Sequence, residues 1–277
     1  MKRRKYMLGS ILKYASLLLG AFIALLPIVV VFFASFKTGT EYTNTGPLTP
    51  PSDWTNVENY KRAFNEGNML VGFKNTIIIL VISIVGTTLI GSMVAFVLNR
   101  FKFKGSKLIL GAFLLATLIP AVTTQVATFQ IIQGLGLFNT MLAAIILYLG
   151  TDIIAVYIFL QFMESISYSL DESAMLDGAS YFTIYRKIIL PLLKPAIVTV
   201  IIIKGVDVYN DFYTPFLYMP KTDLHVISTS LFKFQGPFGS EWEVITAGVM
   251  IAIIPTFIAF LVLQRYIYDG FTSGSVK

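Results

Sequence analysis

The chain has 277 residues, of which 56% are hydrophobic and only 13% are charged, and its formal net charge is +6. A soluble protein carries about 25% charged residues, so the composition excludes an ordinary soluble domain and indicates a polytopic membrane protein. The chain has no cysteine and one histidine, His225, which excludes disulfides, thiolate catalysis and a histidine cluster for a metal ion.

Six apolar segments predict an all-α membrane protein with six spanning helices. A helix needs about 20 apolar residues to cross a bilayer, and each segment is long enough. The predicted spans are residues 14–36, 75–98, 108–129, 140–162, 192–216 and 244–267. The first run is longer than the apolar core of a signal peptide, so we expect a retained helix. Together the segments predict a single transmembrane domain covering residues 1–277.

Polar residues separate and interrupt these spans. Residues 37–72 are rich in turn formers and predict an external loop with a short helix near 57–65. In the second span Gly86 and Gly91 would allow another helix to approach closely. The fourth span carries Asp152 in its interior, and Pro255 is predicted to break the sixth span.

The stretch from Glu172 to Pro191 lies between two spans and is polar enough to stand in water. Gly178 can take backbone angles that a side chain forbids, and Pro191 cannot donate a helical hydrogen bond. The pattern predicts a short helix, a bend at Gly178 and a second helix that stops at Pro191.

This stretch resembles the EAA loop of permeases from binding-protein-dependent ABC importers. The family pattern is Glu-Ala-Ala, three residues, Gly, nine residues, Ile, one residue and Leu-Pro. The residues in register are Glu172, Ala174, Gly178, Ile188, Leu190 and Pro191, with Ser173 where alanine is usual. The resemblance implies the type I importer permease fold, and a coupling loop, residues 164–191, that docks on a cytoplasmic ATPase. It assigns Asp177 to the same docking set.

The fifth span is unusually polar, with Lys204, Asp207, Asn210 and Asp211. A charge at bilayer depth costs about 2.5–3.5 kcal/mol, and Lys204 lies three residues before Asp207, so the two are predicted to pair. The run from Tyr209 to Pro215 resembles a motif of sugar permeases.

One interpretation of this polarity is a sugar pathway lined by residues of the third and fifth spans. Its predicted residues are Asp207, Tyr209, Asn210, Asp211, Thr124 and Gln125. Carboxylates and amides bind hydroxyl groups, and aromatic faces cover sugar rings. The alternatives, which the sequence leaves open, are helix–helix contact with a partner permease and an end of the span that already lies in water.

The charge distribution predicts the orientation. Fourteen of the 21 lysines and arginines fall on one side of the six spans, and the positive-inside rule makes that side cytoplasmic. Both termini and the coupling loop are then cytoplasmic. The same rule accounts for the net charge without nucleic-acid binding.

The resemblance implies one permease subunit of a sugar importer in a bacterial cytoplasmic membrane, transporting an oligosaccharide. Its implied partners are a second permease, two ATPase subunits that use ATP and Mg²⁺, and an extracytoplasmic solute-binding protein. No phosphate-binding loop or metal-ligand spacing occurs in the sequence, so no cofactor, metal site or enzymatic activity is predicted for this chain. A permease for another solute and an ion-coupled transporter remain as alternatives.

Overall fold

A computed structural model describes residues 2–101, 103–150, 152–236 and 239–273. Within these ranges the chain is mostly helical, with one short antiparallel ribbon, β1 (Gln235–Gly236) and β2 (Gly239–Ser240). The described residues form two compact units. The first comprises Met1–Leu70 and Ser230–Phe257, and the second Val71–Thr229 and Ile258–Lys277.

The helices follow the apolar segments of the sequence. In chain order they are α1 (Lys2–Phe36), α2 (Gly39–Asn44), α3 (Glu58–Glu66), α4 (Met69–Arg100), α5 (Ser106–Thr117), α6 (Ala121–Gly134), α7 (Met141–Leu149), α8 (Ile153–Glu164), α9 (Ser169–Leu176), α10 (Tyr181–Ile184), α11 (Leu190–Leu192), α12 (Lys194–Asn210), α13 (Tyr213–Tyr218), α14 (Ile227–Ser230) and α15 (Trp242–Ser273). A π-helix, Tyr185–Ile189, joins α10 to α11, and 3₁₀ turns occupy Thr222–Leu224 and Leu231–Phe234.

Four segments of the described chain are long and apolar enough to cross a membrane, and counting two bent pairs as one span each gives six. The four are Leu12–Phe36, Met69–Arg100, Met141–Glu164 and Trp242–Gln264. The bent pairs are Ser106–Thr117 with Val122–Gly134 and Tyr181–Leu192 with Lys194–Asn210. Where the structure describes them, the predicted spans are largely helical, with breaks or bends in the third, fourth and fifth.

Two spans are interrupted where the sequence predicts no break, and one predicted break is absent. The third span bends by 103° between α5 and α6, where Pro120 lies in an extended conformation and cannot donate a helical hydrogen bond. Asp152 lies at a break before α8, where its Oδ1 accepts from the Ala155 N–H at 3.0 Å. Pro255 does not break the sixth span, because α15 continues through it. Spanning helices tolerate an internal proline when neighbouring groups satisfy the freed carbonyl.

In the first unit, the predicted external loop folds onto the end of α1. The last carbonyls of a helix have no partner within the helix. The Asn59 side chain supplies one, donating to the carbonyls of Ser35 at 2.9 Å and Lys37 at 2.8 Å. Trp54 packs against three phenylalanine rings of α1, those of Phe32, Phe33 and Phe36.

In the second unit, the glycines of α4 lie against its neighbours as predicted. A Cβ atom at Gly86 would lie 2.0 Å from Leu149 Cδ2, and one at Gly91 would lie 3.3 Å from the Phe159 ring. The missing side chains therefore allow the end of α7 and the middle of α8 to approach the backbone of α4.

The beginning of α4 binds the segment that follows α13. The Asn75 side chain donates to the carbonyls of Asp223 at 2.9 Å and His225 at 2.8 Å. Thr76 Oγ1 accepts from the Ile227 N–H at 2.9 Å. One end of α4 is thus joined to residues 223–227 by buried side chains.

Candidate functional site

The coupling loop begins with a short, exposed helix, α9. Asp171 and Glu172 lie in its first turn, where negative charge interacts favourably with the helix dipole. The Ser173 hydroxyl donates to the Ser169 carbonyl at 2.9 Å, so it is bound within the helix. At the other end Leu176 is 90% exposed.

Gly178 ends α9 and makes the bend that the sequence predicts. Its φ is +81°, in the left-handed region that glycine adopts without a steric penalty. The next residue, Ala179, donates from its N–H back to the Ala174 carbonyl at 2.9 Å, which satisfies a carbonyl at the helix end. Ser180 then caps α10, accepting from the Thr183 N–H at 3.3 Å.

The second helical stretch does not stop at Pro191, and that prediction is wrong. The π-helix precedes the proline, and the Leu190 N–H bonds to the Tyr185 carbonyl, five residues earlier. The chain stays helical to Leu192 and bends at Leu193 instead, by 73° before α12. A π turn changes the hydrogen-bond register before a residue that cannot donate, which is one way in which helices accommodate proline.

The predicted ATPase-coupling residues divide into an exposed and a partly buried set. The exposed ones are Glu172, Ser173, Asp177, Gly178 and Pro191. The partly buried ones, Ala174, Ile188 and Leu190, pack against the core formed by α4, α8, α10 and α12. The exposed set shares its surface with apolar side chains, chiefly those of Leu176 and Phe182.

A buried ion pair attaches α9 to the last residue of α4. Arg100 Nε lies 2.7 Å from Asp171 Oδ2, and the two side chains are 6% and 3% exposed. The same guanidinium donates from Nη2 to the Ile166 carbonyl at 3.1 Å and lies over the Tyr168 ring. Burial raises the pKa of the Asp171 carboxyl, and Arg100 opposes that shift.

Aromatic side chains attach the rest of the coupling loop to the same end of α4. The hydroxyl groups of Tyr185 and Ser92 lie 2.8 Å apart, and the Tyr185 ring is 5.4 Å from that of Phe96. The rings of Tyr181 and Phe101 are 4.8 Å apart. Both sides of the Gly178 bend are therefore held against α4.

A second polar cluster lies on α12, where Lys204 makes the predicted pair with Asp207 and a shorter, unpredicted one with Asp152. Lys204 Nζ lies 3.1 Å from Asp152 Oδ2 but 3.9 Å from Asp207 Oδ2. The Asp207 side chain is 67% exposed, whereas that of Asp152 is 19% exposed. The predicted partner within the helix is thus secondary to one across helices, because the break before α8 brings Asp152 to Lys204.

Asp211 is occupied by structural contacts. Its Oδ1 accepts from the N–H groups of Tyr213 at 2.8 Å and Thr214 at 3.1 Å, which caps α13. Its Oδ2 accepts from the Tyr148 hydroxyl at 2.9 Å. These bonds end α12 at Asn210, within the predicted fifth span.

The remaining predicted pathway residues lie on two elements. On α12, Asn210 is exposed and donates to the Val206 carbonyl at 3.0 Å, while Tyr209 is half-buried. On α6, Thr124 is exposed and Gln125 is half-buried. The two groups are separated in the sequence by α7–α11.

The sequence interpretation missed two residues of these sites. Arg100 counted only among the basic residues of the predicted cytoplasmic side, and Tyr148 was assigned no role. No sequence signal marks the first, because the burial of Asp171 within the otherwise more exposed α9 is visible only in the fold. Nothing in the local sequence marks Tyr148 as a partner of Asp211.

Comparisons with known proteins place the chain in a family. The family model described as "Binding-protein-dependent transport system inner membrane component" matches residues 87–272. A permease of Thermoanaerobacterium thermosulfurigenes, "Probable starch degradation products transport system permease protein AmyC", is 34% identical, over 96% of this chain and 97% of its own length.

A second relative and a solved structure agree with this assignment. The arabinooligosaccharides transport system permease protein AraQ of Halalkalibacterium halodurans is 30% identical over 93% of this chain and 92% of its own length. A bacterial ABC transporter that imports alginate contains a chain of the same fold, with a TM-score of 0.83 and 22% identity, covering 95% of this chain and 98% of that one. The chain therefore belongs to the inner membrane components of binding-protein-dependent transport systems and is a multi-pass protein of the cytoplasmic membrane.

Proposed function

We propose that this chain is one of two permease subunits of an ATP-driven importer, with six spans and both termini in the cytoplasm. The observation that supports this most strongly is the coupling loop. Its α9 presents exposed acidic and apolar side chains, and its base is held against α4 by Arg100. A surface of that kind suits docking in a groove of an ATPase.

The family membership supports the proposal of three further partners: a solute-binding protein, two ATPase subunits and a second permease. A binding-protein-dependent system includes a solute-binding protein, so we propose one on the outer side. Two ATPase subunits would use ATP and Mg²⁺, and a second permease would supply the other half of the pathway. In this arrangement ATP binding moves the coupling loops, and the pathway opens to receive solute from the binding protein.

We infer that the solute is an oligosaccharide. The two relatives described above are named for starch degradation products and arabinooligosaccharides. On α12, Asp207 and Asn210 are exposed and carry groups that bind hydroxyls, and Tyr209 adjoins them. Thr124 and Gln125 would line the pathway from α6. In this proposal Asp211 positions α13 and Tyr148 and does not bind the sugar, because both of its carboxylate oxygens already accept hydrogen bonds.

Photo-crosslinking in the purified complex tests the coupling proposal. The chain is co-expressed with the second permease and the ATPase, and benzoylphenylalanine replaces Leu176. Irradiation is expected to join this chain to the ATPase. The control is the same substitution at Leu118, 75% exposed at the bend between α5 and α6, which should give no such adduct. An intact complex with no ATPase adduct from position 176 would refute the docking.

The substrate proposal is tested separately with the binding protein. Calorimetric titration with maltotriose and with arabinotriose is expected to show binding of at least one. Binding of a peptide or a polyamine, with neither trisaccharide bound, would assign the chain to a different branch of the family.

A further inference from the structure

The coupling loop is attached to α4 by contacts on both sides of the Gly178 bend. On the α9 side these are the Arg100–Asp171 ion pair and the bond from Arg100 to the Ile166 carbonyl. On the α10 side they are the contacts of Tyr181 and Tyr185 with the last turns of α4. A displacement of α9 relative to α4 would break a charge-assisted pair in a buried site, which is costly.

The helix that receives these contacts is continuous. It contains 32 residues, and at 1.5 Å per residue it is about 48 Å long, enough to cross the whole bilayer. Asn75, near its other end, binds the carbonyls of Asp223 and His225. Thus α4 joins the coupling loop at one end to residues 223–227 at the other.

We propose that Arg100 and Asp171 are positioning residues that transmit movement between the coupling loop and α4. The proposal rests on the proposed function, since it requires an ATPase that binds α9. In it, the ion pair makes α9 and the end of α4 move together, and α4 carries the displacement to the segment beside Asn75. The same path carries the signal of a docked binding protein inward to the ATPase.

The geometry favours a role of the Arg100–Asp171 pair in transmitting movement over a role in stability alone. A buried ion pair is weak evidence for stability, because desolvation offsets most of the attraction, and burial does raise the pKa of Asp171. What the ion pair fixes is the distance between Asp171 and the end of α4, while the hydrogen bond to the Ile166 carbonyl fixes the direction of the guanidinium. The Arg100 guanidinium contacts both Asp171 and the Ile166 carbonyl. It therefore holds α9 and the segment between α8 and α9 in one orientation relative to α4.

The test uses the complete transporter in nanodiscs with its binding protein, loaded with whichever trisaccharide binds. ATP hydrolysis is measured with and without the binding protein in the unaltered complex, in Asp171→Asn and in Arg100→Lys. Glu164→Gln is the matched control, since Glu164 is an exposed carboxylate at the end of α8, where the same loop starts, and it has no part in the ion pair. Crosslinking from position 176 is measured in parallel to show that α9 still contacts the ATPase.

We expect Asp171→Asn to keep its basal hydrolysis and its crosslink but to lose stimulation by about fivefold or more, the lower range of allosteric coupling. Arg100→Lys keeps the buried charge and so keeps assembly, and it should also lose stimulation. The exchanged pair Arg100→Asp with Asp171→Arg should recover part of it. Full stimulation in an assembled Asp171→Asn or Arg100→Lys complex would overturn the proposal. No crosslink in the unaltered complex would instead refute the proposed docking.

Discussion

Lys204 and Asp152 lie 3.1 Å apart, one in the middle of α12 and the other at the cap of α8. The lysine side chain is only 11% exposed and lies 5.7 Å from the centre of the Tyr148 ring. Because Asp152 also accepts from the Ala155 N–H, one carboxylate both starts α8 and neutralises the charge on α12. The pair therefore fixes the break between α7 and α8 against α12.

Replacing Lys204 with methionine is expected to destabilise the protein strongly. The change leaves Asp152 as a buried charge without its partner, and such losses cost about 3–5 kcal/mol. Adding Asp152→Asn should recover most of this, because asparagine can still cap α8. Asp207→Asn is the matched control, with a small expected effect because Asp207 is exposed. The midpoint of thermal unfolding in detergent measures all three, and equal losses for Lys204→Met and Asp207→Asn would contradict the pairing.

Substitutions of Asp211 test whether this residue serves to cap α13 or to bind the substrate. Asparagine caps helices about as well as aspartate, whereas alanine costs about 1 kcal/mol. We therefore expect Asp211→Asn to have nearly the same unfolding temperature as the unaltered chain and to transport maltotriose at nearly the same rate. Asp211→Ala is expected to lower the unfolding temperature. A stable Asp211→Asn protein with little transport would show that the carboxylate acts on the sugar.

Substitutions at Gly178 should differ in effect only through how well each residue tolerates a positive φ. A Cβ atom at this position meets no atom within 4 Å, so any loss reflects the positive φ. Valine in the left-handed region costs about 1–2 kcal/mol, while asparagine tolerates it. Gly178→Val is expected to lower binding-protein-stimulated ATP hydrolysis, and Gly178→Asn to retain most of it. Equal activities would show that the bend is not needed for coupling.

The raised pKa of Asp171 gives a pH dependence of stability with a definite sign. Because the folded-state pKa lies above the ordinary value of 3.8, the folded protein holds the proton more tightly than the unfolded chain. The free energy of unfolding therefore falls as the pH rises through the window between these pKa values. Asp171→Asn lacks this dependence.

This effect is measured as the difference in unfolding temperature between Asp171→Asn and the unaltered chain at each pH. The value for Asp171→Asn minus that for the unaltered chain should increase as the pH rises above the ordinary aspartate pKa of 3.8, since the other groups cancel. Glu164→Gln serves as the control for removal of an exposed carboxylate outside the ion pair. A difference for Asp171→Asn that decreases with rising pH would mean that Arg100 outweighs burial.

Much of the architecture could be predicted, because apolar run length and glycine placement are local properties. The run from residue 75 to 98 lies wholly within α4, and Gly86, Gly91 and Gly178 serve close approach and a bend as expected. The EAA spacing led to the family that the comparisons confirm. These signals depend on one residue or on a fixed spacing, so no tertiary contact is needed to recognise them.

The pairing of charges could not be predicted in the same way. Lys204 was matched with Asp207 because both lie on one helical face, but its nearer partner is 52 positions away in the chain. Arg100 and Asp171 are likewise separated by intervening helices. Only the packing of α8 and α9 against α4 and α12 brings such partners together, and a single sequence contains no record of it.

The π-helix at Tyr185–Ile189 makes the coupling loop sensitive to chain length. A π turn contains one residue more than the α turn that it replaces, and each helical residue rotates the chain by about 100°. The wider turn absorbs that extra residue, so α10 and α11 keep the phase that they would have on either side of a regular α turn. A second inserted residue has no such turn to absorb it and would rotate α10 against α11 by roughly that angle, which would move Tyr185 away from Ser92. This short segment should therefore tolerate exchange of side chains far better than an added residue.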